Sequence, residues 1–322
     1  MSGARFLDFA AAVADAKGNG FIHVPVFESE ITNLTKKRGI MLQRIKTRRA
    51  TGHPTRYFEQ TARQATAAFA DPHNLSATYG GSTRVEKAAF IKAVTSGIKF
   101  GHFDLEVADQ QGEGLYLKYD DLNDMVLDVL TAQDSKLWTG SDTDLAAPTT
   151  NEYVGLFTQI KQTGKIADGV KISTAVRSEV ARLAANTKYD VRPSVVVMNP
   201  LTKDMMEQEE EKDNNTRKIY EVEAVPGIKV EGIMTCMGVL PIVTDPFMAL
   251  NTTEGKVEHR IAILTEDLIT RFYVGSENVR VFEFGHQDES LATKYMALQY
   301  DTIVAKGENY AHTILTKEVA TV

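Results

Sequence analysis

The sequence predicts an α+β chain, and three observations carry that reading. They are a helical apolar repeat from Leu122 to Leu137, a β-branched run from Ser194 to Met198 that turns straight into a helix, and a closing third rich in short strands. With 322 residues, 43% of them hydrophobic and 25% charged, the chain has apolar material for one large core or two modest ones. The net charge of −7 supplies no basic field of the kind that sequence-reading DNA-binding proteins use to hold phosphates. The longest apolar run, Ile233 to Val243, falls short of the roughly 20 residues that cross a bilayer and is broken by Thr235, Gly238 and Pro241.

The elements follow in order. Phe6, Phe9, Ala10 and Val13 recur at i, i+3, i+4 and i+7, which predicts a short amphipathic helix stopped at Gly18. Asp8 and Asp15 interrupt its apolar stretch, so no signal peptide is expected. From Phe21 to Gly39 apolar residues are sparse and the segment reads as an extended arm. Two strand-like stretches, Ile40 to Arg49 and Arg84 to Val107, flank a polar, small-residue segment with Gly52, Pro54, Pro72, Gly80 and Gly81. That pattern describes a long hairpin whose tip has no core of its own and needs a partner surface.

Asp120 or Asp121 is the expected N-cap of the long helix carrying Leu122, Met125, Val126, Val129, Leu130 and Leu137, with Gly140 placed to stop it. A second helix is expected from about Ile172 to Thr187, apolar at Ile172, Val176, Val180, Leu183 and Ala184. After the strand at Ser194 to Met198, Asn199 as N-cap and Pro200 at the first helical position start a third helix, which ends in the acidic run Glu209, Glu210 and Glu211. Strands are expected at Ile228 to Glu231, Val239 to Val243, Arg260 to Leu264, Phe272 to Val274 and Val279 to Phe284, with more strand character from Leu291 to Thr316.

The chemistry-bearing motifs are few. Dinucleotide, Walker, His-Glu-x-x-His and Gly-x-Ser-x-Gly patterns are absent from the sequence. His102, Asp104 and Glu106 would share one face of a strand and so form a candidate divalent-metal set, although the polar side of an amphipathic strand explains the same spacing. His73 is a second candidate, in a segment where polar residues are the norm. Cys236, the single cysteine, lies in an apolar stretch without an activating base nearby and reads as a buried structural thiol. It cannot pair within the chain, which suits a reducing compartment. The run Glu209 to Asp213 reads as a solvated helix end, with a cation site or acidic recognition patch as the alternative. No catalytic residue, metal or cofactor is therefore assigned.

Taken in order, Val196-Val197-Met198-Asn199-Pro200 followed by a helix, then Gly238-Val239-Leu240-Pro241-Ile242-Val243, then the strand-rich stretch from Leu291 to Lys317 resemble the major capsid proteins of tailed bacteriophages, the Hong Kong 97 fold family. The helix through Leu122 to Leu137 resembles that family's spine helix. The resemblance spans nearly the whole chain, and the order of the motifs carries it.

The resemblance implies an N-terminal arm at 1–39, an extended hairpin loop at 40–112, a peripheral domain at 113–163 and 276–322, and an axial α/β domain at 164–275. It implies a non-enzymatic, self-assembling subunit of an icosahedral or prolate virion shell, built of hexamers and pentamers in the host cytoplasm. Such a shell encloses double-stranded DNA without reading its sequence. Portal, separate scaffolding and decoration proteins are the implied partners.

Intersubunit contacts are expected at Phe6, Phe9 and Val13 of the arm. In the loop they are expected at Arg56, Tyr57 and Phe58, just ahead of Glu59, at Phe69, next to Ala70, and at Tyr79; in the axial domain, at Glu209, Glu210 and Glu211. Some family members cross-link a loop lysine to a neighbour's asparagine; residues 60–83 contain no lysine, and that chemistry is not carried over. Two other readings compete: an encapsulin compartment of the same fold, and a metal-dependent enzyme on His102, Asp104 and Glu106 that would form only a small oligomer.

Overall fold

The computed structural model describes residues 39–62, 69, 71–73, 81–110, 114–212, 219–225, 228–253, 255–287 and 292–320. In chain order the elements are α1 (Met41–Arg44), β1 (Lys46–Arg49), β2 (Thr55–Ala62), β3 (Thr83–Ala89), β4 (Lys92–Gly101), α2 (His102–Gln110), α3 (Gly114–Thr139), α4 (Leu156–Gln159), β5 (Thr163–Lys165), α5 (Ile172–Ala184), β6 (Val195–Met198) and α6 (Pro200–Glu211). They continue as β7 (Ile219–Val225), β8 (Ile228–Thr235), β9 (Gly238–Thr244), β10 (Asn251–Thr253), β11 (Lys256–Leu264), β12 (Ile269–Tyr273), β13 (Arg280–Gln287), β14 (Ala292–Ala305) and β15 (Thr313–Ala320). The chain divides into two compact units, one of residues 93–133 and 276–299, the other of 39–92, 134–275 and 300–322.

In the first unit, β13 runs antiparallel to the opening half of β14, and β4 also pairs with β14. Period-2 alternation puts Val94, Ile98 and Phe100 of β4 and Tyr295 and Ala297 of β14 on one side, where they pack with Met125 and Val129 of α3. Phe100 meets Tyr295 edge to face at 5.6 Å. Burial of each such large apolar side chain is worth about 1.5–3 kcal/mol.

Two sequence expectations fail in this unit. The strand expected to reach Val107 stops at Gly101, and His102–Gln110 coil into α2. A short apolar run satisfies period 2 and period 3.6 alike; here the helix puts Leu105 in the core and leaves Phe103 exposed. The long helix also starts at Gly114 rather than at Asp120 or Asp121, which lie within it as surface residues.

The second unit is built on a mixed sheet ordered β5-β15-β11-β6-β9-β8-β7, with β10 added on β11. Every residue of the short central strand β6 is buried, as its unbroken Val-Val-Val-Met run requires of a strand covered on both faces. Its core joins Val196, Met198, Ile261, Ile263 and Leu315 of the sheet to Ile172, Val176, Val180 and Leu183 of α5 and Met206 of α6. The β6-to-α6 turn is the expected one: Leu201 N–H donates to Asn199 Oδ1 at 3.0 Å, Pro200 needs no donor at the first turn, and Asn199 Nδ2 ties the turn to the Met248 carbonyl.

At the end of α3 the buried Trp138 donates to Asp245 at 2.9 Å. Gly140 then stops the helix because a Cβ there would lie 2.2 Å from the Tyr153 carbonyl oxygen.

The hairpin is real but is built from other residues than the sequence pattern implies. Residues 46–49 pair in parallel with β12, and the arm opposite β3 is β2, within the segment read as the tip. Gly52 and Pro54, taken as part of that tip, instead lie between β1 and β2.

Candidate assembly surfaces

Strands β2 and β3 pair antiparallel from Thr55↔Ala89 to Ala62↔Thr83 as a separate two-stranded sheet. Directly opposed residues share a face, so Thr55, Tyr57 and Glu59 lie with Ala89, Lys87 and Val85, while Arg56, Phe58 and Gln60 lie with Ala88, Glu86 and Arg84. The first face is turned inward near its root: Tyr57 keeps 8% of its exposure, and Phe58 on the second keeps 68%.

The inner face is fastened to its own unit at several points. Tyr57 stacks on Phe272 with ring centroids 6.4 Å apart, and the Lys306 ammonium sits 5.6 Å from its ring. Glu59 accepts from Gly307 N–H at 2.7 Å and pairs with Lys87 at 2.7 Å, and Lys87 reaches Glu308 at 3.2 Å.

Burial drives the Tyr57 phenol up to about 12 against the opposing field of Lys87. Burial alone would lower the Lys87 ammonium, but hydrogen bonds to Glu59 and Glu308 outweigh it and leave it raised. Lys306 is lowered, first by burial and then by Arg48. Farther along β2, Tyr189 donates its hydroxyl to the Thr61 carbonyl at 2.6 Å while stacking on Tyr310 at 3.9 Å.

Beneath the 306–312 turn lies His312. Its Nδ1 accepts from Thr265 N–H at 3.2 Å, and its Nε2 lies 3.0 Å from the Lys306 carbonyl, which assigns the Nε2–H tautomer. Burial lowers this imidazole to about 4, with the Lys306 carbonyl working in the opposite direction.

The root contacts of Glu59, Lys87 and Glu308 were not read from the sequence. The usable signal was parity: Glu59 falls on the same strand face as Tyr57, and a carboxylate on an inward face requires a cation or donors.

The expected contact residues fall into distinct groups. Phe58, Arg56 and Phe69 are exposed, whereas Tyr57 is buried against its own subunit. Phe6, Phe9, Val13 and Tyr79 lie outside the described residues.

The acidic run is largely not a solvated helix end. Glu209 accepts from Ile172 N–H at 2.9 Å and pairs with Lys317; Glu210, 3% exposed, accepts from the Ser173 hydroxyl. These two carboxylates occupy the N-terminus of α5, where the helix dipole favours negative charge, and only Glu211 is exposed.

Cys236, expected to be buried, is exposed in the two-residue β8–β9 turn, where Met237 N–H donates to Thr235 Oγ1. The strand face expected to gather His102, Asp104 and Glu106 does not form. On α2, His102 and Glu106 make a one-turn surface contact at 3.3 Å, and no group of three or more metal-ligating side chains occurs among the described residues. The His73 backbone donates to Asp71 Oδ1 at 2.9 Å.

No protein-family model matches the chain, and no curated protein matches its sequence. Solved structures do match. A Gordonia phage Cozz chain is 13% identical with a TM-score of 0.61, covering 92% of this chain and 91% of its own. A chain from the head of Helicobacter pylori bacteriophage KHP40 is 8% identical with a TM-score of 0.63, covering 93% and 95%. A chain of the holo-SrpI encapsulin complex from Synechococcus elongatus PCC 7942 is 10% identical with a TM-score of 0.57, covering 90% and 91%. At such identities the likeness is one of fold, and it extends over nearly the full length of each chain. The architecture is the α+β, Hong Kong 97-type fold that the order of the sequence motifs suggested.

Proposed function

We propose that this chain is a shell-building subunit, the major capsid protein of a tailed bacteriophage, which assembles with copies of itself around double-stranded DNA. The observation that carries the reading is full-length agreement of fold with chains of phage heads, each covered by more than nine-tenths. The hairpin supports it, because Phe58 and Phe69 are large apolar side chains left in water. In this reading residues 1–39 are an arm, 40–112 carry the extended loop with Thr55–Ala89 as its paired part, 113–163 and 276–322 form the peripheral domain, and 164–275 the axial domain. Portal and scaffolding proteins, with or without decoration proteins, complete the particle, which is assembled in the host cytoplasm. Expression of the full chain with a co-expressed scaffold, followed by electron microscopy, tests it. Closed shells are expected; a chain that stays monomeric under every condition contradicts the reading.

A second reading is favoured by one specific likeness, the encapsulin chain covered to 91%. In that case the shell houses cargo enzymes. Terminase and portal genes beside this one support the virus, and a peroxidase or ferritin-like gene supports the compartment.

A further inference from the structure

In the first unit the sheet has a second face, turned away from the α3 core. The register Phe282↔Met296 and Phe284↔Lys294 puts these four side chains together, with Arg280 and Leu298 one step along. Strand β4 adds Thr95, Gly97 and Lys99, which are exposed while Val94, Ile98 and Phe100 turn to the core.

Gly97 has no side chain, and an open groove of about 460 Å³ lies there, lined by Thr95, Gly97, Lys99, Phe284, Lys294 and Met296. Phe282 and Phe284 remain 38% and 45% exposed, with the Arg280 guanidinium 5.5 Å over the Phe282 ring. An apolar floor with a rim of three cations calls for a partner carrying carboxylates.

Helix α3 of the same unit presents that complement. Asp120, Asp124 and Asp128 recur at i, i+4 and i+8 on its exposed side, beside the exposed Tyr119, while Met125 and Val129 face the core. Like charges at this spacing destabilise an isolated helix. Burial, with Asp124 and Asp120 adding to it, already raises the Asp121 carboxyl above its ordinary range.

We propose that the Phe282–Phe284–Gly97 sheet face of one copy binds the acidic α3 face of a second copy. The proposal rests on the self-assembly reading and adds a named pair of surfaces to it. The contact is heterologous, joining two different patches, so repetition by rotation produces rings or closed shells rather than isolated pairs.

Sedimentation of the full-length chain tests this by charge exchange. The double variant Lys99→Glu with Lys294→Glu, and the double variant Asp120→Lys with Asp124→Lys, should each weaken self-association at least tenfold. Combining all four substitutions should restore it. Gly97→Phe, which fills the groove from outside, should also weaken association while circular dichroism stays unchanged. If the parent associates and the reversals do not alter it, or the fourfold variant stays folded and as weak as the doubles, the contact is refuted and the shell reading stands. A parent that never self-associates overturns both.

Discussion

The two faces of one hairpin differ more than any two regions of similar composition in the chain. On the inward face Tyr57, Glu59 and Lys87 are held by Phe272, Gly307 and Glu308 of the same subunit. On the outward face Phe58 lies beside Arg56 and Glu86, which pair with each other at 3.2 Å. Strand alternation separates the two sets by a single residue step. The comparison teaches that self-packing is not a property of the whole hairpin. Its root belongs to the monomer, and its outward face and distal end are what remain for neighbours.

Substitutions on the two faces should therefore separate stability from assembly. Tyr57→Ala removes a buried ring that fills space against Phe272 and should cost about 3–5 kcal/mol, read as a large fall in Tm. A loss below about 1 kcal/mol would mean that the root is loosely packed. Lys87→Met leaves Glu59 without its cation; because Lys87 keeps some contact with water, a loss of roughly 1–3 kcal/mol is expected from denaturant titration.

The brace beneath the root adds a pH dependence. The folded His312 titrates near 4, below its unfolded value of about 6.5, so its contribution is complete above pH 6.5 and is lost as pH falls through 4. His312→Gln should flatten that part of the stability profile, and an unchanged profile would assign the acid sensitivity elsewhere. Phe58→Ser is the mildest for the monomer, within about 0.5 kcal/mol as for other exposed sites, yet it should impair particle formation. A Tm fall as large as that of Tyr57→Ala would erase the distinction between the faces.

Much of the fold was legible because local chemistry and tertiary structure agree. The Asn199-Pro200 cap, the stop at Gly140 and the strands at β8, β9, β11, β12 and β13 all lie where cap chemistry, close approach or β-branched patterning place them. The misreadings share a cause: a local pattern with two solutions, decided by partners distant in the chain. Gly52 and Pro54 mark a turn, but which strand pairs with β3 depends on the 306–308 turn and on Phe272, more than 200 residues away.

The acidic run looked solvated because nothing in its own neighbourhood reveals the α5 N-terminus that Glu209 and Glu210 cap. Cys236 sits in an apolar stretch, yet Gly238, at φ 100°, helps make that stretch a hairpin turn.

The central claim is that the hairpin beyond its root is an intersubunit element. Electron microscopy of the full-length chain beside a variant in which residues 63–82 are replaced by a two-residue Asn-Gly turn tests it most directly. Closed shells from the parent, and a folded variant of similar Tm that forms none, are the predicted result. Normal shells from the shortened variant would contradict the account.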